Sequence, residues 1–160
     1  MKVLMCKMLQ PINNICSMIP EWVVNLCMRI IVFKVFWLSA QTKISGLTLF
    51  GQHFAFWSVN ETTFFLFDFE YDVPLIPSDI AAYMGTFGEF FLSLMILFGF
   101  LTRFAALGLL VMTLVIQSVY PDAWWSSHAY WFVIILYLVR NGGGQVSVDH
   151  YLFGKQSYKR

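Results

Sequence analysis

Residues 81–100 read AAYMGTFGEFFLSLMILFGF, an apolar stretch that contains one charged side chain, that of Glu89. About 20 consecutive apolar residues are enough for a helix to cross the hydrocarbon core of a bilayer. A carboxylate at that depth costs at least ~2.5 kcal/mol, so such groups normally face a bundle interior or a wet cavity and are paired. The stretch therefore predicts a membrane-spanning helix with a polar site beside it.

The composition of the whole chain indicates the same class of protein. Of its 160 residues, 59% are hydrophobic and 12% are charged, whereas soluble proteins average roughly 45–50% apolar and 25% charged residues. The formal net charge of +1 argues against the clustered basic face of a nucleic-acid-binding protein. The expected partner is therefore the lipid bilayer, and no nucleic acid is expected.

Four segments approach the length of a span and predict an all-α, integral membrane four-helix antiparallel bundle. They cover residues 21–40, 80–100, 102–119 and 123–139, which makes residues 21–152 one domain between a lead-in (1–20) and a tail (153–160). The long amphipathic loop between the first two spans is predicted to lie on the outer side. It either rests in the membrane interface or folds over the mouth of the bundle.

The short-loop cations set the orientation. Seven of those near the span ends fall on one side of the predicted bundle, whereas Lys43 alone falls on the other; the seven are Lys2, Lys7, Arg103, Arg140, Lys155, Lys159 and Arg160. Because cytoplasmic loops carry the excess of Lys and Arg, both termini are predicted to be cytoplasmic in a bacterial inner membrane, with Arg103 as a cytoplasmic anchor.

Glu89 needs a partner, and the first apolar segment offers two. With a rise of ~1.5 Å per residue, Lys34 and Glu89 differ in depth by about one helical turn, a difference that a lysine side chain covers. We therefore predict a buried Lys34–Glu89 pair, with Arg29 as the alternative partner. Such a pair either fixes the helix register or belongs to a functional site.

A second polar group gathers toward the predicted outer ends of the helices. It comprises Lys43, Glu70, Gln117 and His128. If these four side chains converge, they would form an outer pocket. A histidine there could donate a proton or bind a redox headgroup. The chain has no recognisable metal-ligand spacing, so no metal is predicted.

Taken together, these residues resemble the DoxX family of small four-helix membrane proteins. The resemblance covers about residues 24–152 and rests on an ordered set of motifs: Ser39-x-x-x-Lys43-x-x-Gly46, Glu70-Tyr71-x-Val73-Pro74-Leu75-x-Pro77, Glu89, Gly99-x-x-Thr102-Arg103-x-Ala105-Ala106, Val115-Ile116-Gln117-x-x-Tyr120-Pro121-x-Ala123-Trp124, His128 and Gly142-Gly143-Gly144-x-x-Ser147-x-Asp149. It implies an inner-membrane protein whose family includes the membrane subunit of a thiosulfate:quinone oxidoreductase. It carries over no family-wide set of catalytic residues.

Two functions remain open from the sequence. The first is a membrane component or scaffold of a larger assembly, which docks a soluble or membrane partner and uses its buried polar residues for packing or ligand binding. The second is a quinone-linked oxidoreductase subunit, in which His128, Gln117 and Lys43 would offer donors to a quinone. Quinone is the one cofactor that the resemblance suggests.

Overall fold

The structure, a computed structural model, describes residue 10 and residues 17–71, 73 and 76–154. Most of the predicted lead-in and tail lies outside these residues. The described part is mainly helical. Its helices are α1 (Glu21–Lys43), α2 (Glu61–Leu66), α3 (Ser78–Phe98), α4 (Thr102–Val119), α5 (Ala129–Asn141) and α6 (Val148–Phe153). One short antiparallel hairpin pairs β1 (Thr48–Leu49) with β2 (Gln52–His53).

Two of the connections continue the helical path without being regular α-helix. A π-helical turn, Phe67–Tyr71, follows α2 directly. A 3-10 turn, Pro121–Ala123, and a π-helical turn, Trp124–His128, join α4 to α5. The segment predicted as a fourth span therefore begins with a 3-10 turn and a π-helical turn, and its regular α-helix starts only at Ala129.

Three helices of the described part, α1, α3 and α4, are long and apolar enough to cross a membrane. Their outward faces carry large apolar side chains, such as Ile31 on α1, Phe91 on α3 and Phe104 on α4, which are 48%, 41% and 66% exposed. Because water solvates such surfaces poorly, these faces are suited to lipid. The chain is thus a multi-pass membrane protein.

The interior is closed by helices that pack in a ring, α1 against α3 and α5, and α4 against α3 and α5. The central cluster takes side chains from all four: Val32, Phe36, Ile96, Ala105, Ala106, Leu109, Ile135 and Leu138. Small residues allow α3 and α4 to approach closely, since a Cβ on Gly88 would lie 2.9 Å from the Met112 sulfur.

The two ends of this ring differ, and they are named here by their α3 residues. At the Gly99 end, α3 stops at Gly99 in the left-handed conformation, with φ 68°, and Gly99 N–H donates to Ile96 O at 3.1 Å. At the Ser78 end, Phe67 packs against Ala81 and Ala82 of α3. The long loop thereby covers this end of α3.

Candidate functional site: an ion pair beside an apolar cavity

Glu89 forms an ion pair with Lys43. The distance from Lys43 Nζ to Glu89 Oε2 is 2.8 Å, and the side chains are 13% and 5% exposed. Ser39 completes the cluster, because its hydroxyl donates to Glu89 Oε1 at 3.0 Å and accepts from Lys43 Nζ at 2.7 Å. Ser39 and Lys43 lie one turn apart at the end of α1, which places both against the middle of α3.

The prediction that Glu89 pairs with Lys34 or Arg29 was wrong. Lys34 is exposed on the outside of α1. Arg29 is buried, but its guanidinium donates to the carbonyls of Ile96 and Leu97 at the end of α3. Arg29 therefore lies at the Gly99 end of the ring. Lys43, 14 residues further along α1, is the residue that contacts Glu89.

A cavity of about 600 Å³ opens beside the ion pair. Lys43, Glu89 and Ser39 line it on one side, and Tyr71 and Tyr120 lie toward the Ser78 end. The rest of its wall is apolar, with Val35, Phe36, Phe67, Val73, Ile76, Ala81, Met84, Gly85, Val111, Met112, Val115, Ile116, Val119 and Trp131. Cavities of about 300–1,000 Å³ with an apolar wall and a few convergent polar groups are typical small-molecule sites.

The four predicted outer-pocket residues do not share one pocket. Of Lys43, Glu70, Gln117 and His128, only Lys43 lines the cavity. His128 Nδ1 lies 2.7 Å from Gln117 Oε1, and its ring packs at 5.1 Å from that of Trp131, which separates it from the cavity. His128 and Gln117 satisfy each other instead of facing a ligand.

Glu70 does not line the cavity but contacts a tyrosine that does. It accepts a hydrogen bond from the hydroxyl of Tyr120, whose ring packs at 5.9 Å from that of Tyr71. Burial, reinforced by the Glu70 contact, raises the pKa of Tyr120, and burial also raises the pKa of Tyr71. Both phenols are therefore neutral hydrogen-bonding groups at the Ser78 end of the cavity.

Two residues at the Gly99 end, Arg29 and Asp149, have roles that were not predicted from the sequence. Arg29 donates to Gly143 O at 3.1 Å and to Val146 O, in addition to its bonds to α3. The Asp149 carboxylate accepts from Leu101 N at 2.7 Å and Thr102 N at 2.8 Å, the first amides of α4. The motif Gly142-Gly143-Gly144-x-x-Ser147-x-Asp149 was noted in the sequence as part of the family resemblance, without a structural role.

Arg103, the predicted anchor, lies exposed at the Gly99 end and donates to Arg140 O at 3.3 Å. Among the described residues, no group of three or more His, Cys, Asp or Glu side chains is placed to hold a metal ion. The ionisable chemistry beside the cavity thus comes from Lys43, Glu89 and two tyrosines.

The family model DoxX matches residues 24–122. The chain belongs to the DoxX family. The match includes α1, α3 and α4 and therefore every residue of the Lys43–Glu89–Ser39 cluster. No curated protein and no solved structure matches this DoxX-family chain.

Proposed function

We propose that this DoxX-family protein is a membrane component of a larger assembly that holds an amphipathic small molecule in the cavity beside Lys43 and Glu89. The observation that carries the proposal is that both charged side chains line a cavity of about 600 Å³. A pair that only fixed helix register would need no such space beside it. Here a polar cluster meets an apolar space, which matches a ligand with a polar head and an apolar body.

The cavity supplies both parts of such a site. Lys43 Nζ is a donor with three N–H groups, of which the longest contact is 3.3 Å to Ser39 O, and the residues Tyr71 and Tyr120 also line the cavity. Between them, Phe36, Phe67 and the other apolar residues offer dispersion contacts. The polar groups would orient the head, and the apolar wall would supply most of the affinity.

Native mass spectrometry of protein extracted from its own membranes in a mild detergent tests this proposal. We expect a small-molecule adduct on the natural protein that is lost from the Lys43→Met/Glu89→Gln double variant, which remains charge-balanced. Lys34→Met is the matched control, since Lys34 is an exposed lysine of the same helix. An adduct of equal occupancy in all three proteins, or no adduct on any of them, would contradict the proposal.

A second candidate is a quinone-linked oxidoreductase subunit. The specific observation in its favour is that two hydrogen-bonding groups from different elements line the cavity, Lys43 of α1 and Tyr71 of the π-helical turn after α2. A quinone ring presents two carbonyl oxygens in opposite directions and would take one donor at each. Extraction of the bound molecule distinguishes the candidates, because a quinone is recognised by its ultraviolet spectrum before and after borohydride reduction.

We also propose a fourth span and an orientation. The π-helical turn Trp124–His128 continues into α5, and together they cover 18 residues or about 27 Å, close to the ~30 Å of the hydrocarbon core. This would complete a four-helix antiparallel bundle. Because Arg103 and Arg140 lie at the Gly99 end, that end would face the cytoplasm of a bacterial inner membrane.

Reporter fusions test the orientation. Alkaline phosphatase, active only outside the cytoplasm, and a fluorescent protein, fluorescent only inside it, would be fused after residue 160. Fluorescence without phosphatase activity is expected. Phosphatase activity at this site would reverse the assignment of the two ends.

A further inference from the structure

The cavity opens sideways between α3 and α4. Its two most exposed lining residues are Met84 on α3 and Val111 on α4, which are 59% and 60% exposed. Val115 on α4 is 38% exposed, and the exposed lining residues Ile76 and Tyr120 lie just before α3 and just after α4, at 37% and 39%. Met84, Val111 and Val115 belong to two helices that are long and apolar enough to span a membrane. The opening between them, called here the lateral portal, is therefore at the level of the lipid chains.

The packing of α3 and α4 explains why the portal lies where it does. Toward the Gly99 end the two helices are in close contact, because a Cβ on Gly108 would lie 2.7 Å from Leu92 and one on Gly88 would lie 2.9 Å from Met112. Toward the Ser78 end, Phe67 from the long loop packs on α3, and a Cβ on Gly85 would lie 3.1 Å from its ring. The cavity lies just beyond the Gly88–Met112 contact, where Met84 and Gly85 of α3 and Val115 and Ile116 of α4 line it.

The charge of the site limits what can enter. Lys43 and Glu89 already balance each other at 2.8 Å, with side chains that are only 13% and 5% exposed. A ligand with a net charge would bring an uncompensated charge into this low-dielectric region, where desolvation is costly. An uncharged head with a carbonyl or hydroxyl oxygen can instead take a hydrogen bond from Lys43 Nζ in place of its 3.3 Å contact with Ser39 O, without disturbing the balance.

We propose that the lateral portal admits a lipid-soluble molecule with an uncharged oxygen-bearing head and a long apolar tail, and that the tail remains between α3 and α4 in the bilayer. This inference rests on the proposed function, because it names the class of ligand that the cavity would hold. It adds the route of entry and the selection against charge. Isoprenoid quinones and neutral glycerolipids share this chemistry.

Photo-crosslinking in phosphatidylcholine vesicles tests the inference. Three diazirine probes are compared: a long-chain monoacylglycerol, a fatty acid of the same chain held anionic at pH 9, and glycerol monobutyrate, which has the same head but no long tail. Peptide mapping then locates the adducts. We expect the long-chain monoacylglycerol to label cavity residues such as Met112 or Trp131 at least fivefold more than the fatty acid or the short-chain probe.

The portal itself is tested with Val111→Trp, which fills the mouth from α4. The matched control is Val133→Trp, because Val133 is a similarly exposed valine, at 63%, that does not line the cavity. We expect cavity labelling to fall at least fivefold in Val111→Trp and to be unchanged in Val133→Trp. Met84→Trp gives a second, independent obstruction from α3 if the first variant fails to fold.

The outcomes separate this inference from the proposed function. Equal labelling by the fatty acid, unchanged labelling in both portal variants, or labelling by the short-chain probe alone would overturn the inference and leave a ligand-binding cavity. Absence of cavity labelling by every probe, together with no adduct on the natural protein, would overturn both.

Discussion

Lys43, the last residue of α1, lies against Glu89 in the middle of α3, with 2.8 Å between its Nζ and the Glu89 carboxylate. The contact joins the end of one spanning helix to the centre of another. It shows that α1 and α3 are staggered along their axes, since Arg29, two turns into α1, already reaches the carbonyls at the end of α3. Beyond the end of α1, toward the Ser78 end, the long loop packs against α3 at Ala81 and Ala82.

Removing one member of the ion pair should cost more than removing both. Lys43→Met leaves the Glu89 carboxylate buried with only Ser39 as a donor, and breaking a buried pair in this way typically costs roughly 3–5 kcal/mol. The Lys43→Met/Glu89→Gln double variant removes the charge from both sides and should recover at least half of that loss. Reversible unfolding in mixed detergent micelles measures the four free energies of the cycle, those of the natural protein, Lys43→Met, Glu89→Gln and the double variant. Additive costs of the two single changes would show that the residues do not interact.

Arg29 should be a major determinant of stability at the Gly99 end. Its guanidinium donates to four backbone carbonyls, those of Ile96, Leu97, Gly143 and Val146. A lysine has neither the planar fork nor the number of donors to replace it. We expect Arg29→Lys to lower the free energy of unfolding by roughly 2–4 kcal/mol.

Arg103→Lys is the control for this effect. Arg103 is exposed and donates to Arg140 O at 3.3 Å, so the change should cost less than about 0.5 kcal/mol. Similar losses in the two variants would mean that the carbonyl contacts of Arg29 add nothing specific.

Asp149 should act as the N-terminal cap of α4, supplied from a distant part of the chain. Its two oxygens accept from Leu101 N and from Thr102 N and Oγ1 at 2.7–2.8 Å. In Asp149→Asn, one acceptor becomes an NH2 group that faces a donor, and the charge that favours a helix N-terminus is lost. The change should cost roughly 1–2 kcal/mol, measured against Asp122→Asn. Hydrogen exchange should also accelerate at the first turn of α4 and not at its centre.

The Tyr120–Glu70 contact gives the site a dependence on alkaline pH. Burial raises the pKa of Tyr120, so the folded protein holds this proton more tightly than the unfolded chain does. The corresponding stability is present in full below the ordinary tyrosine pKa of about 10 and is lost as the pH rises above it. The loss of stability above that pH should be smaller in Tyr120→Phe, and thermal unfolding between pH 8 and 11 measures it. Parallel curves for the two proteins would contradict a raised pKa.

The sequence was sufficient to predict the three long helices because their ends are marked locally. The third predicted span, residues 102–119, coincides with α4, which lies between the Gly99 turn and Pro121. Glu89 was also correctly expected to be buried and paired, since an ionisable group in an apolar run admits few alternatives. These features depend on short-range patterns.

The partner of Glu89 depended on the stagger of α1 against α3, which no local pattern records. Depths counted from the ends of the apolar runs placed Lys34 within about one helical turn of Glu89. Helical periodicity contained a better signal, because Arg29, Phe36 and Lys43 are spaced by seven residues and share one buried face, whereas Lys34 is off that face. Likewise, Gln117 and His128 were predicted to face an outer pocket, but their side chains hydrogen-bond to each other.

Gly99 should tolerate no side chain, for two separable reasons. Its φ of 68° is strained for any L-residue, and a Cβ would lie 2.5 Å from Ser147 Cβ and 2.9 Å from the Arg29 guanidinium. Gly51 has a similar φ of 75° but nothing within 4 Å of the Cβ position. Gly51→Ala therefore isolates the backbone cost, about 1–2 kcal/mol, and Gly99→Ala should exceed it by at least 2 kcal/mol because packed atoms must move.

A double-mutant cycle identifies what Gly99→Ala disturbs. If the new methyl group displaces the Arg29 guanidinium from its carbonyls, then Arg29→Met should cost much less in the Gly99→Ala background than in the natural protein. The same cycle with Gly51→Ala should be additive within about 0.5 kcal/mol, since Gly51 lies in the hairpin turn and has no contact with Arg29. Additivity in both cycles would place the Gly99 effect in the backbone or at Ser147 instead, and would remove Arg29 from the explanation of why the α3–α4 turn requires glycine.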